Sequence, residues 1–130
     1  MGFENRVMAI LFGAGALLAA GCGGAPTSPD LVTSPIQVDS VEVTVLESSP
    51  PQVAVQVQGV LGDGCSTLHS VAQQRVGNVV TVTILRERPR DAVCTQIAKL
   101  YDEVIRLDGT FPPGDYVLRV NSVEKPFTTS

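Results

Sequence analysis

The sequence predicts an all-β domain, either a sandwich or a barrel, over residues 36–130. The main evidence is a set of short runs in which Val, Ile or Tyr alternates with Thr, Gln or other polar residues. Gly, Pro, Asn and Ser separate these runs. Alternation with a period of two, bounded by turn-forming residues, is typical of strands that bury one face. Several such strands at short spacing favour a sandwich or a barrel.

The pattern is clearest in a few segments, taken in chain order. SVEVTVLE and QVAVQVQG each place their valines on one face, and Pro50 and Pro51 break the chain between them. RVGNVVTVTIL is predicted to turn at Gly77 and Asn78 and to leave the turn as a strand. GDYVLRVN alternates again near the end of the chain. Each segment is therefore predicted to be a strand with one buried face.

The segment CTQIAKLYDEVIRL is open to two interpretations. Its apolar residues have the spacing of an amphipathic helix; they are Ile97, Leu100, Tyr101, Val104 and Ile105. The stretch that follows favours a strand instead. We therefore expect a strand from about Asp102 and leave open one short helical turn over residues 95–101.

That following stretch, LDGTFPPGDYVLRV, resembles the corner of fibronectin-type and related sandwiches, where Leu-x-Gly-Leu-x-Pro-Gly-x-Tyr joins two strands. The matching residues are Leu107, Gly109, Phe111, Pro113, Gly114 and Tyr116. The resemblance implies an immunoglobulin/fibronectin-like β-sandwich in which nearby backbone satisfies the Tyr116 hydroxyl. It also implies that residues 103–107 form a strand.

The N-terminal segment is typical of a targeting signal. A short polar head containing Arg6 precedes residues 7–20, which carry no charged side chain. A membrane-spanning helix needs about 20 apolar residues, so this run is too short and matches the centre of a secretory signal. Ala19-Ala20-Gly21-Cys22 then resembles the lipobox of bacterial lipoproteins, with Ala19 where leucine is commonest.

The lipobox resemblance implies a signal peptide over residues 1–21 and a lipid on the thiol of Cys22. The protein would then be anchored in the cell membrane or the outer membrane, facing the extracytoplasmic side. Residues 22–35 are rich in Pro, Gly, Ser and Thr, a composition that predicts a flexible spacer. An ordinary cleaved signal with a chance cysteine beside the cut is the alternative.

The two remaining cysteines, Cys65 and Cys94, are predicted to form a structural disulfide. Outside the cytoplasm an even pair of cysteines is normally bonded. A metal site at Cys65 and His69, or activation of a thiol by His69, is the functional alternative. A zinc site needs further protein ligands, and the sequence has no Cys-x-x-Cys motif. We therefore expect no metal and a histidine at the surface or rim.

Charge excludes some partners. The net charge is −4, and removal of residues 1–21 takes away one Arg and one Glu and leaves this value unchanged. Binding to nucleic acid depends on basic side chains that neutralise phosphates, so the sequence argues against it. The one basic cluster, RERPRD, contains acidic residues and is predicted to be a solvated loop; its basic residues and proline are Arg86, Arg88, Pro89 and Arg90.

The sequence offers no set of catalytic residues. It lacks a Gly-x-Ser-x-Gly elbow, a Walker loop and a His-Glu-x-x-His motif. Asp102 and Glu103 are adjacent, so in a strand they would point to opposite faces, which does not suit paired acid–base work. Asp63, between two glycines, is predicted to be a turn residue. We expect no enzyme activity and no cofactor.

Much of residues 50–121 also resembles a module that recurs in exported bacterial proteins and lipoproteins of unassigned function. The resemblance implies a compact, disulfide-closed β domain. The predicted function is a lipid-anchored, non-catalytic binding or structural module of the cell envelope, with an envelope protein, a peptide or a glycan as its partner. The alternative is an inhibitor of an extracytoplasmic hydrolase that presents the RERPRD segment as a rigid loop.

Overall fold

The structure is a computed structural model that describes residues 30–130. The predicted signal peptide, Cys22 and the first part of the predicted spacer lie outside the described residues. Within residues 30–130 the chain forms eight strands and no helix. They are β1 Leu31–Pro35, β2 Gln37–Leu46, β3 Gln52–Gly62, β4 Thr67–Val76, β5 Val79–Pro89, β6 Lys99–Arg106, β7 Gly114–Val120 and β8 Val123–Thr129.

The strands form two sheets that pack as a β-sandwich. The five-stranded sheet has the order β1-β5-β7-β8, with β4 paired to the other edge of β5, and the three-stranded sheet has the order β2-β3-β6. All pairs are antiparallel except β5 and β7, which run parallel. The predicted all-β sandwich is confirmed. Immunoglobulin-type sheets are antiparallel, so the parallel pair is a feature of strand order that the sequence pattern does not report.

The core lies between the two sheets and is built from the alternating residues. Val53, Val55 and Val57 of β3 are completely buried, and so are Val82 and Ile84 of β5. The residues between them are partly or fully exposed. Burial of a valine or isoleucine side chain contributes roughly 1.5–3 kcal/mol. The alternation with a period of two therefore identifies the residues on the inner faces of the two sheets.

The predicted corner is present before β7. The Tyr116 hydroxyl donates a hydrogen bond to the carbonyl oxygen of Pro112 at 2.6 Å. The Phe111 ring is fully buried and packs edge-on against Tyr116 and Phe127, with centroid distances of 5.3 and 5.8 Å. The guanidinium of Arg75 covers the Phe111 ring at 4.4 Å from its centroid. The corner is thus both hydrogen-bonded and tightly packed.

Of the two interpretations left open for residues 95–105, the strand is the one present. Strand β6 begins at Lys99, and the helical turn does not form. Leu100 and Val104, which would complete a buried helical stripe, are 78% and 67% exposed, whereas Tyr101 is 7% exposed. Pairing with β3 along most of β6 decides the conformation, because the open edge of β3 satisfies the backbone of β6.

Strand β1 corrects the predicted spacer over residues 22–35. Leu31–Pro35 pairs antiparallel with the end of β5, so the folded part begins before the predicted boundary at residue 36. Local composition indicated a flexible segment, but pairing with a distant strand orders it. The Ser34 hydroxyl also accepts a hydrogen bond from Nε of Arg86. The correction concerns only the described end of the spacer.

Asn121, in the turn between β7 and β8, holds the point where the chain leaves β1 for β2. Its backbone has a φ of 51°, a left-handed conformation that asparagine tolerates better than most residues. Its side-chain amide donates to the carbonyl oxygens of Ile36 and Ile84 and accepts from the N–H of Ile84. β1 and β7 pair with different parts of β5, and Asn121 satisfies the backbone between them.

Candidate functional site

A group of polar and sulfur-containing side chains lies at one end of the sandwich, which we call the disulfide end. It comprises Asp63, Cys65, Ser66, Arg88 and Cys94. Cys65 lies in the turn between β3 and β4, and Cys94 in the irregular segment between β5 and β6. The two are bonded, with their Cα atoms 5.5 Å apart. The predicted disulfide is present, and it links the turn between β3 and β4 to the segment between β5 and β6.

The turn that carries Cys65 is organised by Asp63. Oδ1 of Asp63 accepts hydrogen bonds from the backbone N–H of Cys65 at 3.1 Å and from the Ser66 hydroxyl at 3.0 Å. The predicted role of Asp63 as a turn residue is therefore confirmed. Gly64 has to be small at this point, since a Cβ there would overlap the Thr95 hydroxyl. Its N–H donates to the carbonyl oxygen of Thr95 at 3.0 Å, beside the disulfide.

Arg88 forms an ion pair with Asp63. Nη2 of Arg88 lies 2.8 Å from Oδ2 of Asp63, and the two side chains are 30% and 21% exposed. Burial by itself raises the pKa of Asp63. The hydrogen bonds from Ser66, Cys65 and Arg88, with the positive charge of Arg88, outweigh that effect, so the pKa lies below its ordinary value of 3.8. Asp63 is therefore a carboxylate that holds the turn together.

Arg86 is also bound within the fold. Its Nε donates to the Ser34 hydroxyl at 3.1 Å, and its Nη1 donates to the carbonyl oxygen of Leu61 at 3.0 Å. These bonds connect β5 to β1 and to the end of β3. The side chain is partly buried, so it is not a free charge on the surface.

The predicted solvated RERPRD loop is consequently wrong. Arg86, Arg88 and Pro89 belong to β5, which pairs with β1 as far as Pro89 and with β4 as far as Glu87. Arg90 alone among the three arginines is well exposed; it lies beyond β5 and forms an ion pair with Asp30 at 3.2 Å. Charged residues predict an earlier end of the strand, but pairing with β1 extends β5 to Pro89.

The donor atoms of Asp63, Cys65 and Cys94 lie within 4.8 Å of one another, a spacing that would suit a metal ion. The chemistry of the donors does not. The two sulfur atoms are bonded to each other and offer no thiolate, which is the form of cysteine that binds zinc. The carboxylate is already engaged by Arg88. The cluster is therefore a structural cross-link.

His69 lies at a bulge of β4, where the pairing with β5 shifts register. Its Nδ1 is 3.0 Å from Oε2 of Glu87, and its side chain is 44% exposed. The predicted surface position of this histidine is confirmed. Its one charged contact in the described residues is to a neighbouring strand and not to a cysteine.

Asp102 and Glu103 take the opposite faces of β6 that their adjacency predicted. Asp102 pairs across from Gln58 and accepts a hydrogen bond from Gln56, which places it on the outer face of the three-stranded sheet. Glu103 lies on the side of Tyr101. Burial, with a further contribution from the charge of Glu103, raises the pKa of Tyr101. The two carboxylates cannot act together on one substrate atom.

The hollows in the described surface are shallow. The one over the three-stranded sheet has a volume of about 300 Å³ and is bordered by Asp39 and Asp102. Each of these carboxylates accepts a hydrogen bond from a glutamine, Gln37 or Gln56. Another hollow, of about 390 Å³, surrounds the structural residue Asn121. Neither brings a nucleophile next to a general base. A membrane-spanning helix is absent from residues 30–130.

Together the two sheets, the corner and the cross-linked end define a small β-sandwich domain closed by a disulfide. Residues 55–129 match the ORF11 beta-sandwich domain family, and the chain belongs to that family. An uncharacterized 10.2 kDa protein in the HgiCIIM 5' region of Herpetosiphon aurantiacus is 38% identical over 88 residues, which are 68% of this chain and 94% of that protein.

A second relative, an uncharacterized 10.2 kDa protein in the HgiBIM 5' region of the same organism, is 40% identical over 76 residues. These cover 58% of this chain and 93% of the relative. No solved structure matches the chain. The comparisons identify the family of the domain and leave its activity to be inferred from the residues.

Proposed function

We propose that the protein is a lipid-anchored lipoprotein of the cell envelope whose sandwich domain has a binding or structural role and no catalytic one. The main support for this proposal is the way in which the three cysteines are engaged. The chain has three, and the disulfide engages Cys65 and Cys94. Cys22 is left at the end of the signal-like segment, where the lipobox pattern requires a cysteine. Disulfides persist chiefly in oxidising compartments, which agrees with export.

The geometry of the disulfide end supports a non-catalytic role. Asp63 accepts hydrogen bonds from the turn and from Arg88, and Arg86 donates to two other strands or connections. Groups that catalyse a reaction have to be available to a substrate, whereas these are used to hold the fold. The inhibitor alternative is weakened for the same reason, because Arg86 and Arg88 do not project from a loop.

Burial of the aromatic residues narrows the class of partner. Within residues 30–130 the aromatic side chains are Tyr101, Phe111, Tyr116 and Phe127, and none is more than 8% exposed. Proteins that bind glycans commonly stack sugar rings on exposed aromatic rings. The described surface has no such ring, so we favour a protein or peptide partner over a glycan.

The experiment that tests the anchor compares Cys22→Ser with the wild type in fractionated cells. We expect the wild-type protein in the membrane fraction, extracted by detergent and not by salt. The variant should be released or should keep its signal peptide, because the acylated sulfur is gone. The double variant Cys65→Ser/Cys94→Ser is the control, since it also replaces cysteine by serine and should stay with membranes. Unchanged anchoring of Cys22→Ser with a normally processed terminus would contradict the proposal.

A further inference from the structure

Strand β6 is an open edge of the three-stranded sheet. Among residues 30–130 it pairs with β3 alone. Leu100 and Val104 lie on its outer face and are 78% and 67% exposed, and Ile97 just before the strand is 75% exposed. An edge strand with exposed apolar side chains is a template for another extended chain.

The other edges of the two sheets are interrupted. Strand β1 is short and ends at Pro35, and β8 contains Pro126, which cannot donate a backbone hydrogen bond. β2 is bulged at Asp39 and β4 at His69. Such features disfavour strand addition. β6 has no proline, and its pairing with β3 is regular from Leu100 to Arg106.

Charge indicates what the open edge accepts. Asp102 and Glu103 occupy the middle of β6, and neither has an ion-pair partner among the described residues. The cations of the strand lie at its two ends and are engaged, Lys99 with the carbonyl oxygen of Ser66 and Arg106 with Gln52. The centre of the edge is therefore acidic and flanked by apolar residues.

A second copy of the chain suits this edge poorly. When the free edges of two β6 strands pair antiparallel, the two-fold axis keeps their outer faces on the same side. In the two centred registers, Asp102 therefore lies opposite Asp102 of the other copy, or Glu103 lies opposite Glu103. Like charges directly opposite each other destabilise a strand pair. A segment with lysine or arginine at those positions would instead be attracted.

We propose that the free edge of β6 binds an extended segment of a partner protein by strand addition, with basic side chains facing Asp102 and Glu103. Apolar side chains of that segment pack against Leu100 and Val104. Backbone hydrogen bonds supply affinity, and the side chains select the sequence. This assignment deepens the proposed binding role and rests on it.

The test uses the full-length protein, solubilised in detergent, and a fluorescent synthetic peptide of sequence Thr-Val-Lys-Lys-Thr-Val-Thr. Placed antiparallel to β6, it sets its lysines opposite Asp102 and Glu103 and its valines opposite Leu100 and Val104. The matched peptide Thr-Val-Glu-Glu-Thr-Val-Thr should bind about tenfold more weakly or worse. Methylation of alternate backbone nitrogens of the lysine peptide should abolish binding. Equal binding of the two charged peptides would overturn the proposal.

Variants locate the interaction. Glu103→Lys should weaken binding of the lysine peptide and strengthen binding of the glutamate peptide. Glu47→Lys is the control, because it makes the same charge change at an exposed site outside β6. Hydrogen exchange should show new protection in residues 99–106 when the lysine peptide binds. Protection of another edge instead, or an equal effect of the two variants, would contradict the assignment.

The peptide experiment does not depend on membrane anchoring. Acylated Cys22 together with no peptide binding would remove the edge proposal and leave the anchor intact. Peptide binding by a protein without lipid would remove the anchor proposal and leave the edge proposal intact.

Discussion

The two ends of the sandwich are closed in different ways. At the corner end, Phe111, Tyr116 and Phe127 pack against one another and Arg75 covers the Phe111 ring. At the disulfide end, a covalent bond and polar contacts of Asp63, Arg86 and Arg88 hold the connections together. Register places them at opposite ends, since β5 begins beside the corner end and finishes beside the disulfide end.

The difference shows how a small domain with few aromatic residues is stabilised. A chain of this size buries a limited core, and three of its four buried rings serve one end. Packing stabilises the corner end through apolar burial. At the other end the disulfide restricts the unfolded chain, and partly buried arginines satisfy backbone and side-chain acceptors. The first end depends on shape, and the second depends on cross-linking and charge.

The largest effect is expected at the corner end. Phe111→Ala should lower the free energy of unfolding by roughly 3–5 kcal/mol, because it removes a fully buried ring and leaves a cavity. Phe111→Leu should retain much of the stability. Urea unfolding of both variants measures the difference. A loss below about 1 kcal/mol for the alanine variant would mean that the corner collapses without cost, contrary to the packing described.

Removal of the disulfide should lower global stability by a comparable amount and loosen one end further. Cys65→Ser/Cys94→Ser should cost roughly 3–4 kcal/mol in the chain-entropy estimate for this loop, whose ends are 29 residues apart in sequence. Hydrogen exchange should become faster throughout the domain, because global unfolding is easier, and should accelerate most around Gly64 and Thr95. Equal acceleration there and at Tyr116 would show that the disulfide does not hold its own end of the sandwich.

Two arginines of the RERPRD segment, one bonded within the fold and one exposed, should differ in their effect on stability. Arg86→Ser should cost about 1–3 kcal/mol, since it leaves the Leu61 carbonyl oxygen and the Ser34 hydroxyl without their partner. Arg90→Ser should change stability by less than about 0.5 kcal/mol, because its ion pair is exposed. Thermal and urea unfolding of the two variants provide the measurement. Equal effects would restore the solvated-loop interpretation of RERPRD.

The smallest effect concerns pH. The pKa of Asp63 is lower in the folded protein than its ordinary 3.8, so the unfolded chain takes up this proton first as pH falls. The stability that the carboxylate contributes is complete above the unfolded pKa and is lost as pH falls through the folded pKa. Asp63→Asn should therefore flatten the decline of unfolding free energy as the pH falls below about 5. An unchanged slope would show that Asp63 is not the titrating group.

The sequence predicts local features better than long-range ones. Val53, Val55 and Val57 were assigned to a buried face because alternation depends only on neighbours in the chain. Composition predicts a spacer at Leu31–Pro35 and a loop at Arg86, and both predictions fail because the order of these residues depends on pairing with distant strands. The parallel β5–β7 pair left no local signal.

The candidate site shows the same contrast between local and long-range features. The Cys65–Cys94 bond and the turn role of Asp63 followed from cysteine number and from flanking glycines. The Asp63–Arg88 ion pair did not, because a separation of 25 residues carries no pattern. The open edge of β6 was hidden for another reason. The spacing of Leu100 and Val104 matches the apolar stripe of a helix, and only their exposure in the folded protein shows that they lie on an edge strand.

The proposed function depends on one division of the cysteines, in which Cys22 carries lipid and Cys65 and Cys94 bind each other. Intact-mass spectrometry of the protein purified from membranes, with peptide mapping without reduction, tests it directly. We expect a mature chain that begins at an acylated Cys22 and contains a linked Cys65–Cys94 peptide pair. An unmodified terminus at another residue, or free thiols at Cys65 and Cys94, would contradict it.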